Sequence, residues 1–268
     1  MTSHRAIVFD SSGTLMWMYR VAKNTGTGEE LHNIASLRLV NESQALVAID
    51  ISPGKLLDCP PDQSVQHFLV EHDIDINIGC ASESITTDDV RRVMLDTDPG
   101  DVHVSDLREV VLAVRKRCKN AFYSGTGFII DVPAGTIPYV ICTAGKLFSG
   151  AEDVVARLMG CADIYIASGD SMRNLSTLAR HLGIPLENVV PVATPAVKER
   201  LILNLKNTHE HVVMVGDEIN DLRAIRAADV GVLTMQQRRD KSRKLRESAD
   251  RIIDNISELP QVIKELKL

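Results

Sequence analysis

The chain has 268 residues, of which 44% are hydrophobic, so it is long enough for one large domain or two smaller ones. Its net charge of -6 excludes general attraction to nucleic acid or an anionic membrane, because both require a positive field. No stretch approaches the roughly 20 apolar residues of a membrane helix, and the five cysteines contain no C-x-x-C pair that would indicate a zinc site. We therefore expect a cytoplasmic protein without a nucleic-acid or membrane partner, and the sequence assigns no oligomeric state.

The first predicted element is a short, apolar, β-prone run at residues 6–9, which ends at the turn formers Asp10-Ser11-Ser12-Gly13-Thr14. This pattern predicts a buried strand that delivers polar residues at its carboxyl end.

Residues 17–136 do not follow a regular alternation of strands and helices, and we interpret them as an inserted α+β domain. Strands are predicted at 36–40 and 45–51, helices at 64–71 and 107–117, and hairpins around 25–28 and 127–142. The run Thr25-Gly26-Thr27-Gly28 is also compatible with a phosphate-binding loop, but it lacks the Lys-Ser/Thr ending of a P-loop, which favours the hairpin.

From about residue 150 the chain alternates regularly between helices and strands. Helices are predicted at 151–158, 172–182, 196–205 and 220–227, and strands at 164–167, 189–192 and 212–215. Such alternation predicts an α/β fold with a doubly wound parallel sheet, formed by residues 1–16 plus 137–268.

Polar clusters follow three of the predicted strands: Asp10 to Thr14, Ser168-Gly169-Asp170, and Gly216-Asp217. In open α/β sheets, ligands bind outside the carboxyl ends of the strands. The three clusters therefore predict one shared site.

Two of these clusters contain residues suited to phosphate chemistry. Asp10, on a turn after a buried strand, can attack phosphorus as a nucleophile, although a turn without catalytic function fits the same pattern. The Ser168 hydroxyl and neighbouring backbone N–H groups can hold a phosphoryl oxygen, and simple N-capping of the next helix is the alternative.

Two further segments add charge. Lys198 lies near a helix start, where a lysine is slightly unfavourable to the helix dipole and so hints at another partner; a solvated surface lysine is the default interpretation, and only the accompanying motifs favour a functional role. Asp217 and Asp221 supply the oxygen ligands that Mg²⁺ prefers, whereas a turn with Asn220 or Asp221 as N-cap is the structural alternative.

Together these segments resemble the motif set of the haloacid dehalogenase superfamily, and most closely the phosphorylation domain of P-type ATPases. The resemblance covers residues 1–15 and about 137–256, and it extends through the run Ala227-Ala228-Asp229-Val230-Gly231-Val232. The matching motifs are Asp10-Ser11-Ser12-Gly13-Thr14, Ser168-Gly169-Asp170, Lys198, and Gly216-Asp217-Glu218-Ile219-Asn220-Asp221.

The resemblance implies a Mg²⁺-dependent hydrolase that acts on a small phosphorylated compound through an aspartyl-phosphate at Asp10. The implied metal ligands are Asp10, the Ser12 carbonyl, Asp217 and Asp221. The implied phosphate-binding residues are Ser168, Gly169, Lys198 and Asn220. The insertion at 17–136 lies where this superfamily places its first type of cap, which selects the substrate.

One position departs from the superfamily pattern. Its phosphatases usually carry a second Asp two positions after the nucleophile as the general acid/base, and here that position is Ser12. A serine hydroxyl is a poor acid or base near neutral pH, and losing such help costs about 10² to 10⁴ in rate. We therefore expect slow or externally assisted hydrolysis of the Asp10 intermediate, and the alternative is a phosphate-binding or regulatory protein with negligible turnover.

A basic run at residues 238–246 stands out in this acidic chain. We interpret it as a solvated helix face, and the alternative is a local anchor for a phosphorylated substrate or an acidic partner.

Overall fold

The computed structural model describes residues 5–34, 39–81, 85–95, 102–119 and 121–265. The chain divides into two compact units, one formed by Met1–Met18 with Leu147–Leu268 and the other by Tyr19–Lys146. The insertion was predicted at residues 17–136. The second unit begins two residues later, at Tyr19, and ends ten residues later, at Lys146. Its assignment as a cap stays a prediction.

The first part of the chain contains β1 (Arg5–Phe9), β2 (Met16–Asn24), β3 (Glu30–His32), β4 (Gln44–Ile49), α1 (Pro53–Leu56), α2 (Val65–Glu71), β5 (Ile76–Ala81), α3 (Thr87–Leu95), α4 (Val104–Arg117), β6 (Tyr123–Asp131) and β7 (Thr136–Leu147). The second part contains α5 (Ala151–Met159), β8 (Asp163–Ala167), α6 (Met172–Leu182), β9 (Val189–Val190), α7 (Pro195–Leu205), β10 (His211–Gly216), α8 (Leu222–Ala227), β11 (Val230–Thr234), α9 (Arg243–Arg246), β12 (Arg251–Ile253) and α10 (Leu259–Glu265).

The first unit is built on a parallel sheet, which confirms the predicted α/β class. Within the described residues the sheet has six strands in the order β12-β11-β10-β1-β8-β9, and each neighbouring pair is parallel. Phe9 at the end of β1 is in register with Val215 of β10 and with Ile166 of β8. The residues that follow these three strands therefore emerge at the same edge of the sheet.

The strand β1 is buried on both faces, as expected for the centre of a parallel sheet. Ala6 and Val8 pack in one cluster with residues of β10, α7 and α8. Ile7 and Phe9 point to the opposite face, because strand side chains alternate, and they are buried as well. This double burial explains the continuous apolar run in the sequence and fixes where the chain must turn.

The second unit contains an antiparallel sheet, in the order β3-β2-β7-β6-β4-β5 among the described residues. The predicted hairpin around residues 25–28 is confirmed by the antiparallel pairing of β2 with β3. The second predicted hairpin is confirmed by β6 and β7. The strand expected at 36–40 lies largely outside the described residues. In the part of the chain that is described, no helix is long and apolar enough to cross a membrane.

Two predicted elements differ in detail. The strand expected at 189–192 stops at Val190, because Val192 has a φ of +49° and cannot continue a strand. The helix expected at 220–227 begins with a 3₁₀ turn at Ile219–Asp221 and becomes α-helical only in α8.

Candidate active site

Asp10 lies at the start of a tight turn after β1. Its N–H donates to the Val215 carbonyl at 2.9 Å, and the Ser11 carbonyl accepts from the N–H groups of Leu15 and Met16 at 3.0 and 2.9 Å. Gly13 has a φ of +90°, and a Cβ at this position would collide with the Asp217 carboxylate. Glycine therefore allows this turn to approach the end of β10 closely.

The second acidic turn follows β10. The Asp221 Oδ2 atom accepts from the N–H groups of Asp217 and Glu218 at 3.0 and 3.1 Å. A Cβ on Gly216 would lie 2.6 Å from the Asp221 Cβ. The Gly-Asp end of the strand thus allows Asp221 to fold back against the backbone, where its carboxylate is fully buried.

Lys198 joins the two turns. Its ammonium donates to Asp10 Oδ1 at 2.5 Å and to Asp221 Oδ1 at 2.7 Å, and its side chain is fully buried. Thr194 caps the N-terminus of α7: its hydroxyl accepts from the Val197 N–H, and this cap fixes the first turn from which Lys198 extends. The alternative of a solvated surface lysine is therefore wrong.

Asp10, Asp217 and Asp221 form a cluster that can hold a metal ion. Each offers one carboxylate oxygen, these oxygens all lie within 4.8 Å of one another, and all three residues are buried. Hard oxygen donors of this kind suit Mg²⁺. Because a buried cluster of like charges is costly without a compensating cation, the donor set fits the ion that the sequence implied.

Lys241 is the functional candidate that sequence reasoning missed. Its ammonium donates to Asp217 Oδ2 at 2.7 Å and to Glu218 Oε1 at 2.9 Å, and its side chain is 2% exposed. The predicted solvated helix face is wrong for this residue, since the helix in the basic run covers only Arg243–Arg246. The sequence contained only an indirect indication of this role. Three clustered carboxylates need more positive charge than Lys198 alone supplies, so a second buried cation could have been expected.

The pKa values of this cluster reflect burial and mutual repulsion. Burial raises the pKa of Asp217 to about 7, while Lys241 lowers it and Asp221 raises it further. Burial raises the pKa of Asp10 well above its usual range, against the opposing effect of Lys198. Burial alone would lower the pKa of Lys198, but Asp10 and Asp221 raise it above its ordinary value. Additional positive charge would therefore favour ionisation of these carboxylates.

Ser12, Ser168 and Asp170 form a second group of hydrogen-bonded side chains. Ser168 is buried, and its hydroxyl donates to Asp170 Oδ2 at 2.9 Å. The Ser12 hydroxyl donates to the same oxygen at 3.2 Å. Ser171 directly precedes α6 and makes no side-chain capping hydrogen bond, so N-capping by the Ser168–Ser171 segment does not explain the Ser168 contacts.

The two remaining predicted residues are Gly169, in the loop after β8, and Asn220, in the loop after β10. Gly169 is exposed between Ser168 and Asp170. The Asn220 Oδ1 atom is buried without a hydrogen-bond partner among the described residues. The structure thus connects Asp10, Lys198, Asp217 and Asp221 by direct contacts or within the acidic cluster, and it connects Ser12 with Ser168 through Asp170.

Comparison with known families agrees with this geometry. Residues 4–229 match the family described as haloacid dehalogenase-like hydrolase. The chain belongs to the haloacid dehalogenase-like hydrolases. The match spans both turns, Lys198 and the Ser168–Asp170 loop, so the acidic cluster of this hydrolase lies in the matched region.

Individual relatives refine the picture. A "Soluble P-type ATPase-like phosphatase" of Methanocaldococcus jannaschii is 31% identical over 265 residues, which cover 97% of this chain and 93% of that protein. "Copper-transporting ATPase PAA1, chloroplastic" of Arabidopsis thaliana is 36% identical over 98 residues, only 10% of that transporter. The catalytic domain of the CPx-ATPase CopB-B shares 16% identity at a TM-score of 0.48, covering 97% of this chain and 88% of that one. A likeness at that TM-score carries no argument.

Proposed function

We propose that this hydrolase is a Mg²⁺-dependent phosphatase for small phosphorylated compounds, and that it works through an aspartyl-phosphate on Asp10. The observation that carries the proposal is the contact of buried Asp10 with Lys198 inside a cluster of two further carboxylates. The similarity to a relative named as a phosphatase supports the reaction class.

The acidic cluster and one backbone carbonyl would hold the metal. The proposed ligands are Asp10, Asp217, Asp221 and the carbonyl of Ser12. When bound, Mg²⁺ would offset the negative charge that develops on the transferring phosphoryl group. The raised pKa of Asp217 and Asp10 supports a site that is completed by a cation.

The chain's own residues would perform two displacements. In the first, a carboxylate oxygen of Asp10 forms a bond to phosphorus, and the bond from phosphorus to the leaving oxygen breaks. Lys198, the Ser168 hydroxyl, the Gly169 N–H and the Asn220 amide are placed by this proposal around the phosphoryl oxygens. In the second displacement, the water oxygen forms a bond to phosphorus and the bond from phosphorus to the Asp10 oxygen breaks, which returns the electron pair to the Asp10 carboxylate; inorganic phosphate leaves and the proton of the water passes to phosphate or solvent.

Ser12 sets which substrates react well. Because a serine hydroxyl is a poor general acid, departure of an alkoxide would lack protonation at this position. An acyl phosphate has a carboxylate as its leaving group and needs no such proton. We therefore expect acetyl phosphate to phosphorylate Asp10 readily, while alkyl phosphate esters react slowly.

We assign the cap role to the unit formed by Tyr19–Lys146, because it is inserted between the first and second motifs. Substrate preference would then depend on this unit, and chemistry on the other. Substitutions on its surface should change KM for large phosphorylated metabolites and leave the reaction of Asp10 with acetyl phosphate unchanged.

The test is hydrolysis of acetyl phosphate and a panel of phosphorylated metabolites with Mg²⁺. The native protein is compared with Asp10→Asn and with a control, Asp153→Asn, which alters an exposed aspartate on α5. We expect Asp10→Asn to lose turnover by at least about 10³-fold, since the nucleophile is removed, and the control to keep it. Undiminished turnover in Asp10→Asn refutes the proposal.

A further inference from the structure

We propose that the second unit contains a binding site for a small carboxylate with an apolar body, in the cavity between α4 and the strands β6 and β7. The cavity has a volume of about 370 Å³, which is within the range of ligand sites in proteins. All of its lining residues belong to the unit Tyr19–Lys146. The proposed site therefore does not depend on the chemistry at Asp10.

Small side chains form the sheet side of the cavity. Ser124 of β6 is in register with Ala144 of β7, and Thr126 of β6 is in register with Cys142 of β7. Cross-strand partners point to the same face of a sheet, and three of these residues, Ser124, Cys142 and Ala144, line the cavity. This row of short side chains beneath α4 keeps open a space that close packing fills in most protein interiors.

The helix side of the cavity is apolar. Val111 and Val114 of α4 line it, and each is only 1% exposed. Pro53 of α1 lines it as well. Apolar side chains of this kind favour a ligand whose body is apolar, because contact with them removes the apolar surface of both from water.

Thr126 supplies a polar group that lacks a partner. It is 4% exposed, and its Oγ1 atom has no hydrogen-bond partner in the described part of the chain. Strand side chains alternate, so Thr126 shares the face of β6 on which Ser124 lines the cavity. A buried hydroxyl without a partner is costly, and an oxygen atom of a ligand in this cavity would remove that cost.

Arg115 and Lys119 place positive charge at the cavity, which both of them line. A Cβ added at Gly54 would lie 3.4 Å from the Arg115 Nη2 atom, so the guanidinium lies beside α1. Neither cation forms an ion pair with a residue that the structure describes, whereas Lys23 of the same unit contacts Asp106 at 2.8 Å. A guanidinium binds a carboxylate through two parallel hydrogen bonds, so an anionic head group fits this position.

The lining thus defines the class of ligand. A neutral hydrocarbon would leave Thr126 unpaired and would make no use of Arg115. A small inorganic anion would leave Val111 and Val114 without apolar contact. A carboxylate on an apolar body satisfies both the charged and the apolar part of the cavity.

Binding of benzoate, measured by isothermal titration calorimetry on the whole chain, tests the proposal. Benzyl alcohol, a neutral analogue of similar size, should bind about tenfold more weakly, because it cannot pair with a guanidinium. Arg115→Gln should weaken benzoate binding about tenfold and leave the binding of benzyl alcohol unchanged. The matched control is Arg117→Gln, which alters an exposed arginine of the same helix that does not line the cavity and should change neither affinity.

Methyl NMR spectra locate the bound benzoate. The signals of Val111, Val114 and Ala144 should shift on addition of benzoate, and those of Val155 in the first unit should not. Ala144→Leu fills the cavity and should abolish binding, with circular dichroism as the check on its fold; should it fail to fold, Arg115→Gln still decides. Absence of benzoate binding, equal affinity in Arg115→Gln and the native protein, or shifts confined to the first unit would each overturn the proposal.

Discussion

The site has two sides that hold charge in different ways. The carboxylate side is Asp10, Asp217 and Asp221 with Lys198 and Lys241. The hydroxyl side is Ser12, Ser168 and Asp170. The first is buried and held by ion pairs, whereas the second includes half-buried Ser12 and Asp170 and is held by hydrogen bonds from neutral hydroxyls. Dense, fixed charge suits metal and phosphoryl binding, and hydroxyl groups suit hydrogen bonds to phosphoryl oxygens.

This difference predicts that the two sides fail differently. Ion pairs that are buried leave a costly uncompensated charge when one partner is removed. Neutral hydrogen bonds at a partly exposed carboxylate leave a much smaller penalty. Damage to the carboxylate side should therefore alter stability and metal binding, and damage to the hydroxyl side should alter mainly the rate of turnover.

The largest effect is expected from Lys198→Met. The substitution leaves Asp10 and Asp221 buried without their shared cation, so the free energy of unfolding should fall by about 3 kcal/mol. Turnover of acetyl phosphate should fall by about 10² to 10³, because a donor to the phosphoryl oxygens is lost. Urea denaturation and initial-rate kinetics measure the two effects.

A double variant provides the control. Adding Asp10→Asn to Lys198→Met removes one of the stranded carboxylates, and about half of the lost stability should return. If Lys198→Met alone unfolds at the same midpoint urea concentration as the native protein, ion pairs do not stabilise the carboxylate side, and the contrast between the two sides fails.

A smaller effect is expected from Lys241→Met on the pH dependence of Mg²⁺ binding. The pKa of Asp217 is raised to about 7, so protons compete with Mg²⁺ below that pH and the half-saturating Mg²⁺ concentration should rise as the pH falls. Without Lys241 the pKa of Asp217 should be higher still. As the pH is lowered, the half-saturating Mg²⁺ concentration of the variant should therefore begin to rise about one pH unit higher than that of the native protein. Activity measured over a Mg²⁺ series from pH 6 to pH 9 tests this.

The same raised pKa has a consequence for stability. In metal-free buffer, the contribution of Asp217 is fully present below its unfolded pKa of 3.8 and is lost as the pH rises through about 7. Mg²⁺ should restore stability above pH 7, because it binds only the folded cluster. A Mg²⁺ requirement with the same pH profile in native protein and Lys241→Met would contradict the role given to Lys241.

The smallest effect concerns the backbone beneath the hydroxyl side. Val192 is 62% exposed with a φ of +49°, so Val192→Gly relieves strain and should raise the free energy of unfolding by about 1 kcal/mol.

The matched control is Ile252→Gly, another exposed β-branched residue of the same unit that lies in the ordinary strand β12. There glycine should lower stability by about 1 kcal/mol, since it loosens a relaxed strand. Thermal unfolding of both variants decides the matter, and a fall in stability for Val192→Gly would contradict the strain account.

Local pattern predicted much of the first unit. The apolar run before Asp10 and the regular alternation after residue 150 predicted a parallel sheet, and its register confirms that the polar ends of β1, β8 and β10 lie together. Strand and helix periodicity is visible in sequence because it depends on neighbours within one or two turns. Lys198 was predicted on other grounds, since its place near a helix start only hints at a partner and the accompanying motifs made it a candidate.

The remaining features depend on contacts between distant residues. Lys241 lies in a basic run whose members look alike in sequence, and only the buried charge of Asp217 distinguishes it. The hydrogen bond from the Ser12 hydroxyl to Asp170 joins two residues that are far apart in sequence, and no local pattern indicates it. The strain at Val192 likewise comes from the loop that it closes and leaves no mark in composition.

The central claim is that Asp10 carries the phosphoryl group, and trapping it tests this most directly. The native protein is mixed with acetyl phosphate and Mg²⁺, quenched and treated with borohydride, which reduces an acyl phosphate of aspartate to homoserine. Peptide mass spectrometry should find homoserine at position 10 in the native protein and not in Asp10→Asn. Homoserine at another aspartate, or none at any position while phosphate is released, would contradict the account.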